Sequence, residues 1–246
     1  MSNLNVNNID NFRGFDIIIS HKYKFIYCLI QKCGSSSILY SIYKHEFNKE
    51  YNVNEIIWEQ VRFDKKLHNL DKIHFSFKRI EDLINFSNEF KDYRKFIVIR
   101  DVKERFISWL NFAIYLLSKF NLPENNKKEY IFYNMIKMYN EIYNDYHKPF
   151  IESGYLNQNK IEYHCLPQII FYNFFKNVFQ DQLEIVELNN LKQYLHDNYG
   201  FELIKNNENK NKFITINNLS KSELSIIDNI SLHDNIWDII KTQNQQ

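Results

Sequence analysis

The sequence predicts an α/β fold in which helices flank a central, mostly parallel β-sheet, giving three layers. Two apolar runs, residues 23–30 and Phe96–Ile99, read as buried strands, and a helical pattern follows each of them. Alternation of strands with helices is typical of parallel sheets built from βαβ units. At 246 residues we expect a single domain over 1–246, with 1–12 as a flexible tail.

The composition is that of a folded protein, and it argues against several classes of function. Hydrophobic residues make up 44% of the chain and charged residues 25%, which argues against disorder. The net charge is only +1, so the chain lacks the basic field that drives nonspecific binding to nucleic acid. Cys28, Cys33 and Cys165 form no CxxC pair, which argues against a disulfide framework or a structural zinc and favours a reducing compartment.

The amino-terminal residues 1–10 are polar and rich in asparagine, without the basic segment and apolar core of a signal peptide. No later apolar run has the length that a membrane-spanning helix needs. We therefore expect a cytoplasmic protein with no integral membrane segment. Frequent Asn, Lys, Ile and Tyr residues indicate an AT-rich microbial genome, and the sequence gives no indication of an oligomeric state.

The first predicted strand leads through a loop into a helix. Residues 23–30 run almost without polar interruption, as a buried strand does. Apolar side chains then recur at helical spacing over Ile38–Tyr43. The helix should begin near Ser36, where serine hydroxyls would cap its amino end.

The next elements again alternate between strand and helix. Lys72–Phe77 alternates apolar and polar residues, as a short strand does, and places His74 on the polar side. Ile80–Phe90 reads as an amphipathic helix, and the buried strand Phe96–Ile99 follows it. A further helix, with its apolar stripe on one side, occupies Phe106–Leu117.

The last part of the chain adds one more strand and two helices. Leu183–Leu188 reads as the strand, and a helix over residues 189–199 should end at Gly200. Ser220 and Glu223 have the spacing of a capping box, which predicts the start of the final helix.

The junction after the first strand has the layout of an anion-binding loop. Its residues Lys32–Ser37 read Lys-Cys-Gly-Ser-Ser-Ser. Gly34 lets the backbone approach an anion closely, the amides of the following helix start have no intrahelical acceptor, and Lys32 adds a mobile positive charge. The loop therefore predicts a site for a phosphate or sulfate group.

A second junction of the same kind follows the strand Phe96–Ile99. Arg100 comes at the end of this strand, and Ser108 lies on the predicted helix after it, whereas we interpret Arg105 as a structural residue. Because the carboxyl ends of parallel strands meet at one edge of a sheet, both junctions should line one crevice. We therefore expect a ligand with two separated anionic groups.

Together the two motifs resemble the nucleotide-binding signature of the sulfotransferases, in the glycan-modifying branch related to the Golgi carbohydrate and uronyl 2-O-sulfotransferases. Gln31–Ser37 resembles the Pro-Lys-x-Gly-Ser/Thr-Thr/Ser-Ser loop that binds the 5′-phosphosulfate of 3′-phosphoadenosine 5′-phosphosulfate (PAPS) in that family. Ile99–Ser108 resembles the segment that binds the 3′-phosphate. Gln31 and Val102 replace prolines of the family, which changes the stiffness of the loops and not the groups that bind the ligand.

The resemblance implies a PAPS-dependent enzyme with a P-loop-like fold that transfers a sulfuryl group to a carbohydrate hydroxyl. The resemblance implies that Lys32 is a catalytic residue that stabilises charge on the leaving phosphate. The implied transfer reaction requires no metal. The implied nucleotide contacts are Lys32, Cys33, Gly34, Ser35, Ser36, Ser37, Arg100 and Ser108. A weaker resemblance within residues 23–195, through His164-x-x-Pro-Gln168, adds His164 and Gln168 as contacts of the acceptor.

The acceptor hydroxyl needs a base, and His74 is the first candidate. An imidazole with a pKa of about 6.5 is largely neutral at cellular pH and can take a proton. The segment Lys72–Phe75 resembles the histidine-containing strand of the uronyl 2-O-sulfotransferases. Other branches of the family use a glutamate, so Glu46, Glu55 and Glu59 are the alternatives.

Two other functions stay open. A P-loop kinase or other phosphotransferase shares the strand, loop and helix, but its G-x-x-x-x-G-K-[ST] signature places the lysine after the glycines, whereas Lys32 precedes Gly34. A catalytically inactive nucleotide- or glycan-binding module of the same fold is the other alternative. The residues do not identify the acceptor, and the expected lack of a membrane anchor favours a bacterial surface glycan or its precursor.

Overall fold

The computed structural model describes residues 15–48, 73–77, 80–117, 126–130, 132–133, 168–204 and 214–234. These residues belong to two compact units. The first unit contains the described residues within Arg13–Arg100 and Phe171–Lys210, and the second contains those within Asp101–Ile170 and Asn211–Gln246. The expected single domain stays a prediction, and the expected tail over 1–12 lies outside the described residues.

The first unit is built on a five-stranded mixed sheet with the order β3-β1-β2-β4-β5 in the described chain. Its strands are β1 (Phe15–Ser20), β2 (Phe25–Cys28), β3 (His74–Phe77), β4 (Arg94–Ile99) and β5 (Leu183–Glu187). Strands β2, β4 and β5 are parallel neighbours, and β1 pairs antiparallel with both β2 and β3. The described helices are α1 (Ser35–Phe47), α2 (Ile80–Ser87), α3 (Val102–Leu117), α4 (Gln168–Phe179), α5 (Leu191–Tyr199) and α6 (Lys221–His233). The predicted α/β class is confirmed.

Strand β1 is a central strand that the sequence analysis missed. All six of its residues are buried, and it lies between β2 and β3. A strand covered on both faces reads as a short continuous apolar run, and here Asp16 interrupts that run close to the polar amino terminus. Among the strands of this sheet β1 runs against the other four, so the described sheet is mixed but mostly parallel in strand direction, as we expected.

Aromatic side chains cover one face of the sheet, which we call the first face. Phe15 stacks on Phe174 of α4 with ring centroids 3.5 Å apart. Phe75 and Phe77 lie on the same face as Phe15, and both contact Phe86 of α2. Burial of rings of this size dominates the energetics of a core, so these contacts hold α2 and α4 on the first face.

Helices α1 and α5 contact the opposite face, which we call the second face. Phe96 contacts the ring of Tyr194 on α5, with centroids 5.3 Å apart. On the same face, the Ser20 hydroxyl donates to the Glu46 carboxylate of α1 over 2.7 Å. The pleat places alternate residues of each strand on opposite faces, so the polar residues Asp16 and Ser20 share the second face.

The second unit has its own apolar core. Helix α3 packs against α6, and an aromatic and aliphatic cluster fills the space around them, with the following buried members: Val102, Phe106, Trp109, Leu110, Ala113, Ile114, Phe132, Ile214, Leu219 and Ile227. The buried Asn111 amide donates to the Ile214 carbonyl over 2.8 Å and accepts from the Ile214 N–H over 2.9 Å. This pair satisfies backbone groups that would otherwise be buried without partners.

Several local predictions are confirmed, and some boundaries differ. Ser220 and Glu223 form the capping box of α6, and Gly200 ends α5 with φ of 61°. Helix α3 begins at Val102, four residues before the predicted start, because an Asp side chain caps it directly after β4. None of the described helices is both long and apolar enough to cross a membrane.

Candidate functional site

The carboxyl ends of three parallel strands lie at one edge of the sheet. Cys28 at the end of β2 is in register with Ile97 of β4. Ile99 at the end of β4 is in register with Glu187 at the end of β5. The segments that follow these strands therefore begin at the same edge, as we predicted for the two junctions.

The loop between β2 and α1 has a strained backbone. Lys32 has φ of 66° and Gly34 has φ of 88°, both in the left-handed region. This conformation costs a residue with a side chain about 1–2 kcal/mol, and such strain is concentrated at functional sites in proteins. Two hydrogen bonds to the preceding strand segment hold this turn in place. The Cys33 N–H donates to the Ile30 carbonyl over 3.3 Å, and the Tyr27 hydroxyl donates to the Cys33 carbonyl over 3.1 Å.

Gly34 packs closely against the segment after β5. A Cβ atom at this position would lie 2.9 Å from Cδ1 of Leu188 and 3.2 Å from Cδ2 of Leu191. Such contacts are tighter than a Cβ atom tolerates without movement of its neighbours. The φ angle and the limited space therefore both favour glycine here.

Helix α1 presents its amino terminus at this edge. Gly34 is its N-cap, the Ile38 N–H donates to the Gly34 carbonyl over 3.1 Å, and the first turn contains no acidic residue. The amides of Ser35 and Ser36 belong to the first turn, where the helix supplies no acceptor and its dipole favours an anion. The expectation that serine hydroxyls cap α1 is wrong, because the serines follow the N-cap position and do not occupy it.

The predicted serines are held in place by contacts further along α1. Ser35 is buried, and Ser36 and Ser37 are half-buried. The Ser41 hydroxyl donates to the Ser37 carbonyl over 2.7 Å and accepts from the Ile204 N–H over 2.8 Å. These bonds fix the first two turns of α1 against the chain that follows α5.

Arg100 joins the two predicted motifs. It follows Ile99 at the end of β4, is half-buried, and donates from Nη1 to the Lys32 carbonyl oxygen over 3.4 Å. The structure therefore places the guanidinium of one motif beside the strained backbone of the other. The side chain of one junction is thus brought to the backbone of the other, as expected where parallel strands end at a common edge.

The residues after Arg100 start helix α3 in the second unit. The Asp101 carboxylate accepts from the Glu104 N–H over 3.0 Å, which is the geometry of an N-cap. Arg105 is buried and its N–H donates to the Asp101 carbonyl over 2.9 Å. Ser108 is half-buried on α3, and its contact with a nucleotide stays a prediction.

His74 lies beside a buried carboxylate. Its Nε2 is 3.9 Å from Oδ2 of Asp16, and the two side chains are 8% and 1% exposed, respectively. His74 begins the edge strand β3, on the second face of the sheet together with Asp16. Sequence analysis did not identify Asp16, although a single carboxylate inside an apolar run was a signal that could have found it.

Glu46, one of the alternative bases, has a structural role. Its carboxylate accepts from the Ser20 hydroxyl and from the N–H groups of His21 and Lys22, over 2.7, 2.9 and 3.1 Å. These contacts tie the end of α1 to the turn between β1 and β2, at the edge of the sheet opposite to Lys32. Glu55 and Glu59 lie outside the described residues.

Gln168 is fully buried at the start of α4. Its backbone N–H and its Nε2 both donate to Oδ2 of Asp234, over 3.0 and 3.3 Å, and the Ile169 N–H donates to Oδ1 over 3.1 Å. Asp234 thus caps α4 from a distant part of the sequence. The expected contact of Gln168 with an acceptor stays a prediction, and His164 lies outside the described residues.

The two described cysteines are buried thiols. Burial raises the pKa of the Cys28 thiol well above its ordinary value, and the positive charge of Lys95 opposes that shift. Cys28 is therefore protonated at neutral pH and packs as an apolar residue. Cys33 is also fully buried, so only its backbone groups, and not its thiol, can contact a ligand of the loop.

In the part of the chain that the structure describes, no three His, Cys, Asp or Glu side chains form a group that could hold a metal ion. The expectation that the reaction needs no metal stays a prediction.

Comparison with known proteins identifies the family. The model of the Sulfotransferase family matches residues 15–235, from the first residue of β1 to just beyond α6. No curated protein and no solved structure matches the chain. The match covers most of the sequence, including both predicted anion-binding motifs and the strand that carries Asp16, and the chain therefore belongs to the sulfotransferase family.

Proposed function

We propose that the protein transfers the sulfuryl group of PAPS to a hydroxyl of a carbohydrate, on a P-loop-like, three-layer fold. The observation that carries the proposal is the hydrogen bond from Arg100 to the Lys32 carbonyl, beside the glycine N-cap of α1. Family membership makes the chain a transferase of sulfuryl groups. The proposed acceptor is a bacterial surface glycan or its precursor, modified in the cytoplasm.

The residues present fit a donor with two anionic groups. The first turn of α1 and the Lys32 ammonium form one set of donors, suited to the 5′-phosphosulfate. The Arg100 guanidinium, at the end of the neighbouring strand, forms a second donor suited to the 3′-phosphate. One anion alone would not need cationic side chains from both junctions.

PAPS supplies an activated sulfuryl group when it is bound. Lys32 and the amides of Ser35 and Ser36 stabilise the negative charge that develops on the leaving phosphate, and fixed donors make this contribution without reorganisation. His74 takes the proton of the acceptor hydroxyl. Its burial on the second face of the sheet limits the access of water to the imidazole.

We expect His74→Ala to lower kcat by about 10²- to 10⁴-fold, which is the usual contribution of a general base. The affinity for adenosine 3′,5′-bisphosphate should stay within about twofold of wild type, because His74 does not belong to the loop Lys32–Ser37, which we call the donor loop. Transfer of labelled sulfate and calorimetry measure the two quantities. His196→Ala is the matched control, since His196 is an exposed histidine on α5. Unchanged turnover in the His74 variant would move the base to another residue.

We expect Arg100→Ala to weaken binding of adenosine 3′,5′-bisphosphate by about 10- to 100-fold, as the loss of charge-assisted hydrogen bonds does. Arg100→Lys should recover only part of this affinity, because lysine lacks the planar fork of arginine. Arg94→Ala is the control: Arg94 begins the same strand and donates from Nε and Nη2 to Glu184 over 2.8 Å in each case. Calorimetry should show normal affinity in the control, and an equal loss in both variants would contradict the proposal.

Calorimetry with adenosine 3′,5′-bisphosphate, compared with ATP and Mg²⁺, tests the function as a whole. We expect the bisphosphate to bind and ATP to bind weakly or not at all, and a preference for ATP would favour a phosphotransferase. Labelled PAPS is then offered with monosaccharides, uronates and oligosaccharides. Binding of the nucleotide without transfer to any of them would favour an inactive binding module.

A further inference from the structure

A carboxylate lies inside the core of the sheet. Asp16 is fully buried, and its neighbours in β1 are the apolar residues Phe15 and Ile17. Taking a carboxylate out of water costs several kcal/mol unless charged or polar groups compensate for it. An apolar residue at this position would pack the sheet at lower cost, so the carboxylate points to a role beyond packing.

The strand register directs Asp16 towards His74. Asp16 pairs with Ser76 and Ile18 pairs with His74, so Asp16 and His74 are diagonal neighbours on the second face. The distance of 3.9 Å between Nε2 and Oδ2 would make an ion pair if the imidazole were protonated, and it is too long for a hydrogen bond. Contacts between catalytic groups are often this long before substrate binds, and they shorten in the reactive complex.

Asp16 also contacts the backbone that leads into the donor loop. Its carbonyl oxygen accepts from the Leu29 N–H over 2.9 Å, three residues before Lys32. The same residue thus holds the backbone that leads into the loop and presents a carboxylate to the histidine. A change of the side chain that leaves the backbone intact therefore separates the contact with the histidine from this backbone contact.

We propose that Asp16 is a positioning residue for His74, an inference that rests on the proposed function. The carboxylate faces Nε2 and keeps the neutral imidazole as the tautomer with its proton on Nε2, which leaves Nδ1 as the acceptor. As the bond between the acceptor oxygen and sulfur forms, the bond from sulfur to the leaving phosphate oxygen breaks and its electron pair stays on the phosphate. The hydroxyl proton moves to Nδ1, and the Asp16 carboxylate stabilises the imidazolium that results.

A double-mutant cycle on kcat tests this role. Asp16→Asn keeps the shape of the side chain and removes its charge, and we expect kcat to fall by about 10²-fold with KM and bisphosphate affinity within about twofold of wild type. In a His74→Ala background the same change should cause no further loss, because Asp16 acts only through the imidazole. A loss that persists in that background would show a structural role and overturn the proposal.

The ¹⁵N spectrum of the His74 imidazole supplies a readout that needs no turnover and no variant. At about pH 8, where a histidine is mostly neutral, the wild-type protein should show the proton on Nε2. A proton on Nδ1 in wild type would overturn the proposal even if Asp16→Asn did not fold. If wild type transfers no sulfate but shows the expected tautomer, the proposed function fails and the pairing of Asp16 with His74 stands.

Discussion

Replacing Lys32 with alanine will abolish measurable sulfate transfer. Removing one preorganised donor from the site where charge develops usually costs about 10²- to 10³-fold in kcat, and Lys32 carries a full positive charge. The backbone at this position is already left-handed, with φ of 66°, and alanine meets the same steric cost as lysine. The effect should therefore appear in turnover of labelled PAPS and not in thermal unfolding.

Lys32→Gly distinguishes the effect of losing the charge from the effect of the strained backbone. Glycine adopts a positive φ without steric cost, so this variant should be at least as stable as Lys32→Ala while remaining inactive. Lys32→Arg keeps the charge and should recover part of the activity. Turnover within about tenfold of wild type in the alanine and glycine variants would show that Lys32 takes no part in the reaction.

Replacing Gly34 with alanine should both destabilise the protein and abolish binding of adenosine 3′,5′-bisphosphate. The left-handed backbone, with φ of 88°, contributes about 1–2 kcal/mol of this cost. Overpacking against Leu188 and Leu191 adds about 1–3 kcal/mol, because both leucine side chains must move. Denaturant unfolding measures the loss of stability, and calorimetry measures the loss of binding.

Gly200→Ala is the matched control for this prediction. Gly200 also has a positive φ, of 61°, but no atom lies within 4 Å of the Cβ position. The control should therefore lose about 1–2 kcal/mol from the backbone alone and keep its affinity for the nucleotide. Equal losses of stability in the two variants would show that the contact with Leu188 and Leu191 is not a packing constraint.

The sequence predicts the donor loop well because its signals are local. An apolar run, a glycine and a helical repeat follow one another without interruption, so β2, the loop and α1 were identified from neighbouring residues. The adjacency of Lys32 and Arg100 needed only one further rule, that parallel strands end at a common edge. Strand β1 was missed because its central position depends on pairing with two other strands and not on its own pattern.

The contact between Asp16 and His74 could not be derived from the sequence. It depends on the register between β1 and β3, and a shift of one residue would place the two side chains on opposite faces. The backbone strain at Lys32 and the close packing of Gly34 are likewise set by the tertiary structure. A motif indicates which residue types the site needs, but the register decides which of them meet.

Arg100 donates to the peptide carbonyl of Lys32 and not to its side chain. The hydrogen bond that joins the two junctions, after β2 and after β4, therefore does not depend on which side chain residue 32 carries. A substitution at position 32 can therefore remove the ammonium charge while Arg100 still contacts the loop, so that a change in turnover reports the loss of the charge and not a displaced loop.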